Sequence, residues 1–451
     1  MRGPRDATAV ARRALFAWAV PVAGAALVAV RYSRTWFFYD EWGLIHMILQ
    51  DHASLTSDFS LYAGHLWVTN RLVYEAQIYL AGVGGHAVIW AVLVASVALY
   101  LAALVALLRR FGVSPLAASA VALAVGLFGP GGELVGFEID LAPVLALAIG
   151  LGAVAIALRR ERPSTRHVAA LAAALVVAAL TDSGLALLAL VYTTPLLLMR
   201  WPRRDAVLAI APAAVIGVWV LTRPSPRFAA HTLGARIAFA WHLLDNTAAG
   251  LVHGGGGVGA VALGLAVAGV GWRARRGDLS GLAIASLVGG LLAVLAALAT
   301  LAETRSLYPL TPGIRYYAEV APFLALAFLP SLRGPRPATW TREALLAGLA
   351  ALVFALNLGS FLQGEVTIET WATTVHDGFP AAVWLATHMC PNGATVPNRF
   401  EPFGSLSPQV TVGLIRDLRR EGMIAHVTVA RPTAAALSLD CPRTSTGSAP
   451  G

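Results

Sequence analysis

The chain contains no lysine; every one of its 33 basic residues is arginine. That absence suggests coding bias in a genome of high G+C content and carries no mechanism. Charge of either sign is scarce, at 13% of residues, where a soluble domain carries about 25%. That scarcity excludes one large soluble core. Internal repeats of fixed period are also missing, which removes the sequence support an inverted-repeat transporter would have. Cysteine is reduced to two residues, Cys390 and Cys441.

What the chain has is apolar length. Hydrophobic residues make up 57% of its 451 positions, and the mean hydropathy is +0.70. These values describe an all-α polytopic membrane protein. The net charge of +9 does not point to nucleic acid, because the arginines fall in short clusters between apolar runs. No basic stripe with interleaved aromatics is present.

Crossing the hydrocarbon takes about 20 apolar residues, with about 17 as the low end. Spans are expected near 14–30, 86–108, 115–130, 141–158, 167–181, 184–199, 206–222, 258–272, 281–301, 316–332 and 344–362, about 11 in all. The first, behind Arg2, Arg5, Arg12 and Arg13, ends in "ALVAVRYS" without a clear small-x-small site, so it reads as an uncleaved span rather than a signal peptide. The short connections "LRRFG", "LRRERPSTRH", "RWPRRD", "WRARRGD" and "LRGPRPATWTR" then fall on one side with the N-terminus. Together they hold over half of the arginines and, counting Glu343 just after the last of them, only five acids, Asp6, Glu161, Asp205, Asp278 and Glu343. Arginine bias orients membrane proteins. The N-terminus is therefore expected in the cytoplasm and the C-terminus outside, in a plasma membrane.

This topology leaves three long outer segments, 31–85, 223–257 and 363–451. The organisation expected is a transmembrane domain over 1–362, a small extracytoplasmic α/β-like domain over 363–441 and a disordered tail over 442–451. In the C-terminal domain Ser407-Pro408 opens a helix expected to run through Glu421, and "AHVTVA" (425–430) alternates like a short strand. Outside the cell, Cys390 and Cys441 most simply form a disulfide, against the alternative of two free thiols.

Candidate chemistry gathers in the outer segments. In "WFFYDEWGLIHM" (36–47), Asp40 and Glu41 follow a run of aromatic rings. A carboxylate held against apolar rings loses solvation, which makes it a better base; the alternative is solvated charge beside an interfacial belt. Leu44, Met47 and Ile48 share a helical face, and "GHLWVTNRLVYEAQIYLAG" (64–82) sets Leu72, Ala76, Tyr79 and Leu80 at helical spacing. Two interfacial helices are expected in this loop. His65 and Arg71 lie there too, the latter spaced for an i,i+4 pair with Glu75. Glu133, Glu138 and Asp140 crowd the next outer turn, in a spacing that matches no calcium loop. Asp182, in "LTDSG", either caps the following helix or faces a cavity as a boundary acid. Arg315 and Tyr316, in "GIRYY", stand at the outer start of a span, against the positive-inside trend; a guanidinium there suits a phosphate.

The layout of "FFYDEW", "GHLWVTNRLVY" and "GIRYY" across residues 14 to about 360 resembles the GT-C superfamily of membrane glycosyltransferases, and among them actinobacterial-type mannosyltransferase- or arabinosyltransferase-like members. The resemblance implies transfer of a sugar from a polyprenyl-phosphate donor to a cell-envelope glycan, lipid or protein at the outer face. It implies Asp40 as the base toward the acceptor hydroxyl, with Glu41 beside it, and Arg315, Tyr316, Arg71 and His65 as donor-phosphate or substrate contacts. Glu138, Asp140 and Asp182 are secondary acidic candidates. Some relatives pair the first acid with a second, metal-binding acidic motif, for which "FEID" is a loose match, so a divalent metal is compatible and no cofactor is certain. The competing readings are a transporter or flippase of lipid-linked glycan and a non-catalytic envelope-associated membrane protein.

Overall fold

A computed structural model describes residues 19–31, 33, 35–37, 40–51, 59, 61–62, 65–136, 138–222, 230, 232–255, 257–307, 315–333, 340–388, 395–403, 407–425, 427, 429 and 431. Both cysteines, the tail 442–451 and the first residues of the N-terminal span lie outside this set. Among the described residues the protein is all-α, with one two-residue hairpin, Leu61–Tyr62 against His65–Leu66. Five helices are long and apolar enough to cross a membrane: Ala87–Arg110, Ser183–Arg200, Val258–Arg275, Gly281–Arg305 and the Trp340–Leu362 part of a longer helix. Ala19–Arg31, Pro115–Gly126, Leu141–Ala157, Thr165–Thr181 and Tyr316–Leu332 are shorter apolar helices.

The chain divides into two compact units, one of residues 1–31, 60–69 and 92–365, the other of 32–59, 70–91 and 366–451. In the first, helix starts follow local capping chemistry. Ser114 accepts from the Ala117 N–H (3.3 Å) with Pro115 at the first helical position, and Ser280 accepts from the Ala283 N–H (3.2 Å). Gly112 and Gly277 follow the ends of their helices with φ of +81° and +68°, a left-handed conformation that an L side chain resists.

Alternating helices place the arginine-rich turns together. Glu343 accepts from the Ser114 N–H (2.9 Å), and Arg273 donates to the carbonyls of Ser331 (2.8 Å) and Asp278 (2.7 Å). The Trp201 indole donates to the Arg160 carbonyl (2.9 Å). At the opposite end of the unit Arg315 meets Asp140 (2.6 Å), Asn246 donates to the Tyr317 hydroxyl (3.3 Å) and Asn357 donates to the Gly250 carbonyl (2.7 Å).

The segment 223–257 holds a 19-residue helix, Leu233–Leu251, that apolar periodicity does not announce. Arg236, His242 and Asp245 depress its hydropathy, and two of them are put to structural use. Arg236 pairs with Glu303 near one end of the helix. Asp245, buried near the other, accepts from the N–H groups of Gly257 (3.1 Å) and Ala260 (2.7 Å) at the start of Val258–Arg275. Both ends thus meet residues of the same end of the unit, so this helix lies along that end.

In the second unit the described aromatics of this stretch are core rather than an interfacial belt. Trp36, Phe37 and Trp42 are buried, Trp42 stacks on Phe379 (5.4 Å between centroids), and Trp36 donates to the Val83 carbonyl (3.1 Å). Helices Asp40–Asp51 and Val68–Ala81 form where the loop pattern placed them. The second buries its polar face, Asn70, Arg71 and Gln77 with Tyr74, and exposes Leu72, Tyr79 and Leu80. That outward apolar stripe is what an interfacial helix presents. Gln77 ties the turn after it, donating to the carbonyls of Gly82 (3.1 Å) and Gly85 (2.8 Å) and accepting from the Val88 N–H (2.9 Å).

Two expectations for the C-terminal segment change. The helix carrying the span expected to stop at 362 runs on to Thr387, as Trp340–Thr387. The C-terminal helix begins at Val412, not at Pro408, because the Thr411 hydroxyl accepts from the Leu414 N–H (3.1 Å) and caps it there; Arg420 ends it. The strand expected over 425–430 falls partly outside the described residues, and within them Ala425 and Val427 lie in a turn and a bend.

Candidate functional site

The first unit contains a cavity of about 370 Å³ at the end opposite the arginine-rich turns, and five residues singled out from sequence line it: His65, Asp140, Asp182, Arg315 and Tyr316. They come from four separate stretches of the chain, held in register by a short set of bonds. The Leu66 N–H donates to Ser183 Oγ (3.3 Å), the Trp67 indole N–H donates to Asp182 Oδ2 (2.6 Å), and the Thr69 and Thr181 hydroxyls share a bond of 3.0 Å. "HLWVT" (65–69) is thereby docked onto "TDSGL" (181–185).

Asp182 is the centre of this joint. It ends Thr165–Thr181 and caps Ser183–Arg200, where Oδ1 accepts from the Leu185 N–H (2.7 Å). The capping role and the cavity-facing role proposed for this position are therefore held by one side chain. His65 Nδ1 approaches Oδ2 at 3.4 Å, and the imidazole stacks on the Trp67 ring (5.2 Å between centroids). Burial alone would raise the proton affinity of this carboxyl. Contact with His65, the Leu185 N–H and the Trp67 indole outweigh it and hold the carboxyl below its ordinary range.

Across the cavity, Arg315 pairs with the fully buried Asp140 (2.6 Å), and its guanidinium lies 5.7 Å from the Tyr316 ring centre. Asp140 precedes Leu141–Ala157, Arg315 precedes Tyr316–Arg333, and the ion pair joins these two helix starts. Leu185, Leu188, Val220, Ala297 and Leu301 give the cavity an apolar wall. Sequence reasoning did not single out Trp67, Glu303, Arg305 or Glu319, which also line it. Trp67 lies inside "GHLW", but nothing local marks its indole as an aspartate's partner.

Asp40, Glu41 and Arg71 belong to the second unit. Asp40 is half-buried at the first position of Asp40–Asp51. Glu41, only 1% exposed, accepts a hydrogen bond from the Tyr74 hydroxyl. Arg71 is 2% exposed and makes the i,i+4 pair with Glu75 (3.2 Å). The side chains of Glu133 and Glu138 lie outside the described residues, as does the expected Cys390–Cys441 disulfide. Among the described residues no three His, Cys, Asp or Glu side chains stand where they could share a metal ion. No family model, no curated protein and no solved structure matches the chain.

Proposed function

We propose that this chain is an integral membrane glycosyltransferase that moves a sugar from a polyprenyl-phosphate donor to a cell-envelope acceptor. In this reading about eleven helices cross the plasma membrane, the arginine-rich end is cytoplasmic and the cavity opens at the outer face. The observation that carries it is the cavity's composition. One wall is apolar, while the rim combines a guanidinium, Arg315, with a histidine–carboxylate pair, His65 and Asp182.

A lipid-linked sugar phosphate has the matching parts: an apolar chain, an anion and a hydroxyl-rich head. Its leaving group is a phosphate, whose charge a nearby guanidinium stabilises. Transfer also needs a proton acceptor for the incoming hydroxyl. The resemblance to GT-C enzymes gives that role to Asp40.

The test is transfer by purified protein in lipid nanodiscs, using radiolabelled polyprenyl-phosphate sugars and envelope acceptors. Transfer that falls about 100-fold or more in Arg315→Gln supports the reading, by the cost of losing one charge-stabilising donor. Asp40→Asn, run in parallel, tests the base implied by the resemblance. Movement of the lipid across vesicles without transfer to any acceptor assigns the flippase alternative instead.

A further inference from the structure

We infer that His65, oriented by Asp182, is the proton acceptor facing this cavity, and that the hydroxyl it deprotonates is that of the sugar acceptor. The inference rests on the glycosyltransferase reading and deepens it by placing the base at His65 of the first unit, in place of the Asp40 that the resemblance implies.

An ionised carboxylate only accepts hydrogen bonds, and both oxygens of Asp182 already receive them, from the Leu185 N–H (2.7 Å) and the Trp67 indole N–H (2.6 Å). His65 meets this anion through Nδ1, at 3.4 Å. Beside a carboxylate, Nδ1 carries the ring proton, and in a neutral imidazole the lone pair then resides on Nε2. Nε2 is therefore the basic atom. The same anion stabilises the imidazolium that forms once Nε2 takes a proton.

Packing fixes the pair. The His65 ring lies against Trp67, and the main chain after it is anchored through the Leu66 N–H to Ser183. Asp182 is buried, whereas the His65 side chain keeps 31% of its surface open. A buried orienting acid next to a partly open histidine is an arrangement that general-base catalysis uses. Position 184 is glycine, where a Cβ would stand 3.3 Å from Asp182 Oδ1 and 3.6 Å from His65 Nδ1. A branched side chain there would crowd the pair.

The step balances within the cavity. The acceptor oxygen forms a bond to the anomeric carbon, and the bond from that carbon to the phosphate oxygen breaks. Its electron pair leaves with the polyprenyl phosphate. The acceptor's proton passes to His65 Nε2 and then to water. The other charged groups on the cavity are Asp140, Glu303, Arg305, Arg315 and Glu319, and none is on the segment carrying His65.

The deciding experiment measures kcat, KM and the pH–rate profile of sugar transfer in full-length protein. His65→Ala is expected to lower kcat by about 100-fold or more, the usual worth of a positioned base, while KM moves less than about threefold. Added imidazole should restore part of that loss. The acid limb of the wild-type profile should vanish from the residual activity. Asp182→Asn and Gly184→Val act on a positioning residue and on its surroundings, and imidazole should rescue neither. His65→Gln keeps the size and polarity of the side chain, so an equal loss there excludes misfolding as its cause. Wild-type kcat in both His65 variants, alongside intact transfer by the wild type, would overturn the inference and leave the glycosyltransferase reading standing. A wild type that transfers sugar from no donor would overturn both.

Discussion

Trp67 donates its indole N–H to Asp182 at 2.6 Å in a buried setting, joining two segments 115 residues apart. The bond is charge-assisted, of the kind worth about 1.5–3 kcal/mol. Trp67→Phe keeps most of the ring and removes the donor. It is expected to destabilise the protein by about 2 kcal/mol, read as a fall in the midpoint of denaturant unfolding in detergent. Asp182→Asn should destabilise as well, and the double variant should lose less than the sum of the two singles. Additive losses would show that the two side chains do not act on each other.

The same carboxylate sets a pH dependence with a definite sign. Its folded proton affinity is depressed, so its contribution to stability is complete above the unfolded value of about 3.9. As pH falls from there through the lower folded value, that contribution is lost. Unfolding midpoints of wild type should therefore drop across that acid window more steeply than those of Asp182→Asn. Parallel curves would contradict the assignment.

The Arg315–Asp140 pair invites a different experiment, since Asp140 is fully buried and Arg315 is 16% exposed. Removing one partner of a buried pair leaves an uncompensated charge, at a cost of about 3–5 kcal/mol. Arg315→Met should fall at the low end of that range because solvent reaches the guanidinium. Replacing both partners, with Asp140→Leu and Arg315→Met together, should recover much of the loss while leaving transfer abolished. Recovery of stability without activity separates the structural part of Arg315 from its proposed part in phosphate binding.

Much of this architecture was legible because hydropathy and arginine placement depend only on local composition. The apolar runs became helices, and the basic turns share one end of the first unit. The site was legible only in pieces. "GHLW", "LTDSG" and "GIRYY" each stood out locally, but no spacing rule links residues 65, 182 and 315. Their meeting follows from how the helices pack, which periodicity does not encode. Leu233–Leu251 escaped notice because its charged residues serve ion-pairing and capping, and a hydropathy count treats both as polarity. The long helix through 363–387 escaped for a related reason. The sequence turns more polar after residue 362, the expected start of the outer domain, and polar residues are compatible with helix.

Helix packing near Asp245 gives a prediction with a built-in control. A Cβ on Gly259 would collide with the backbone carbonyl of Asp245, whereas one on Gly264, in the same helix, would meet nothing within 4 Å. Gly264→Ala should leave stability unchanged or raise it by up to about 1 kcal/mol, the helix-propensity gain. Gly259→Ala must displace the carboxylate that caps Val258–Arg275, so it should destabilise by about 1–3 kcal/mol. Equal effects at the two sites would mean that this close approach is absent.

Orientation in the membrane is open to direct chemistry. Arg162, in an exposed arginine-rich turn, and Gly255, near the cavity end, lie at opposite ends of the first unit, and a side chain on Gly255 has open space around it. In cells, a membrane-impermeant maleimide should label Gly255→Cys directly. Arg162→Cys should react only after permeabilisation, with wild type as the control for Cys390 and Cys441. Arginine is the residue whose placement orients membrane proteins, and the arginine-rich turns gather at one end. Direct labelling of Arg162→Cys would turn the molecule over, and the cavity would then face the cytoplasm. A donor flipped to the outer leaflet could not reach it, and the search for substrate would have to move to cytoplasmic sugar donors.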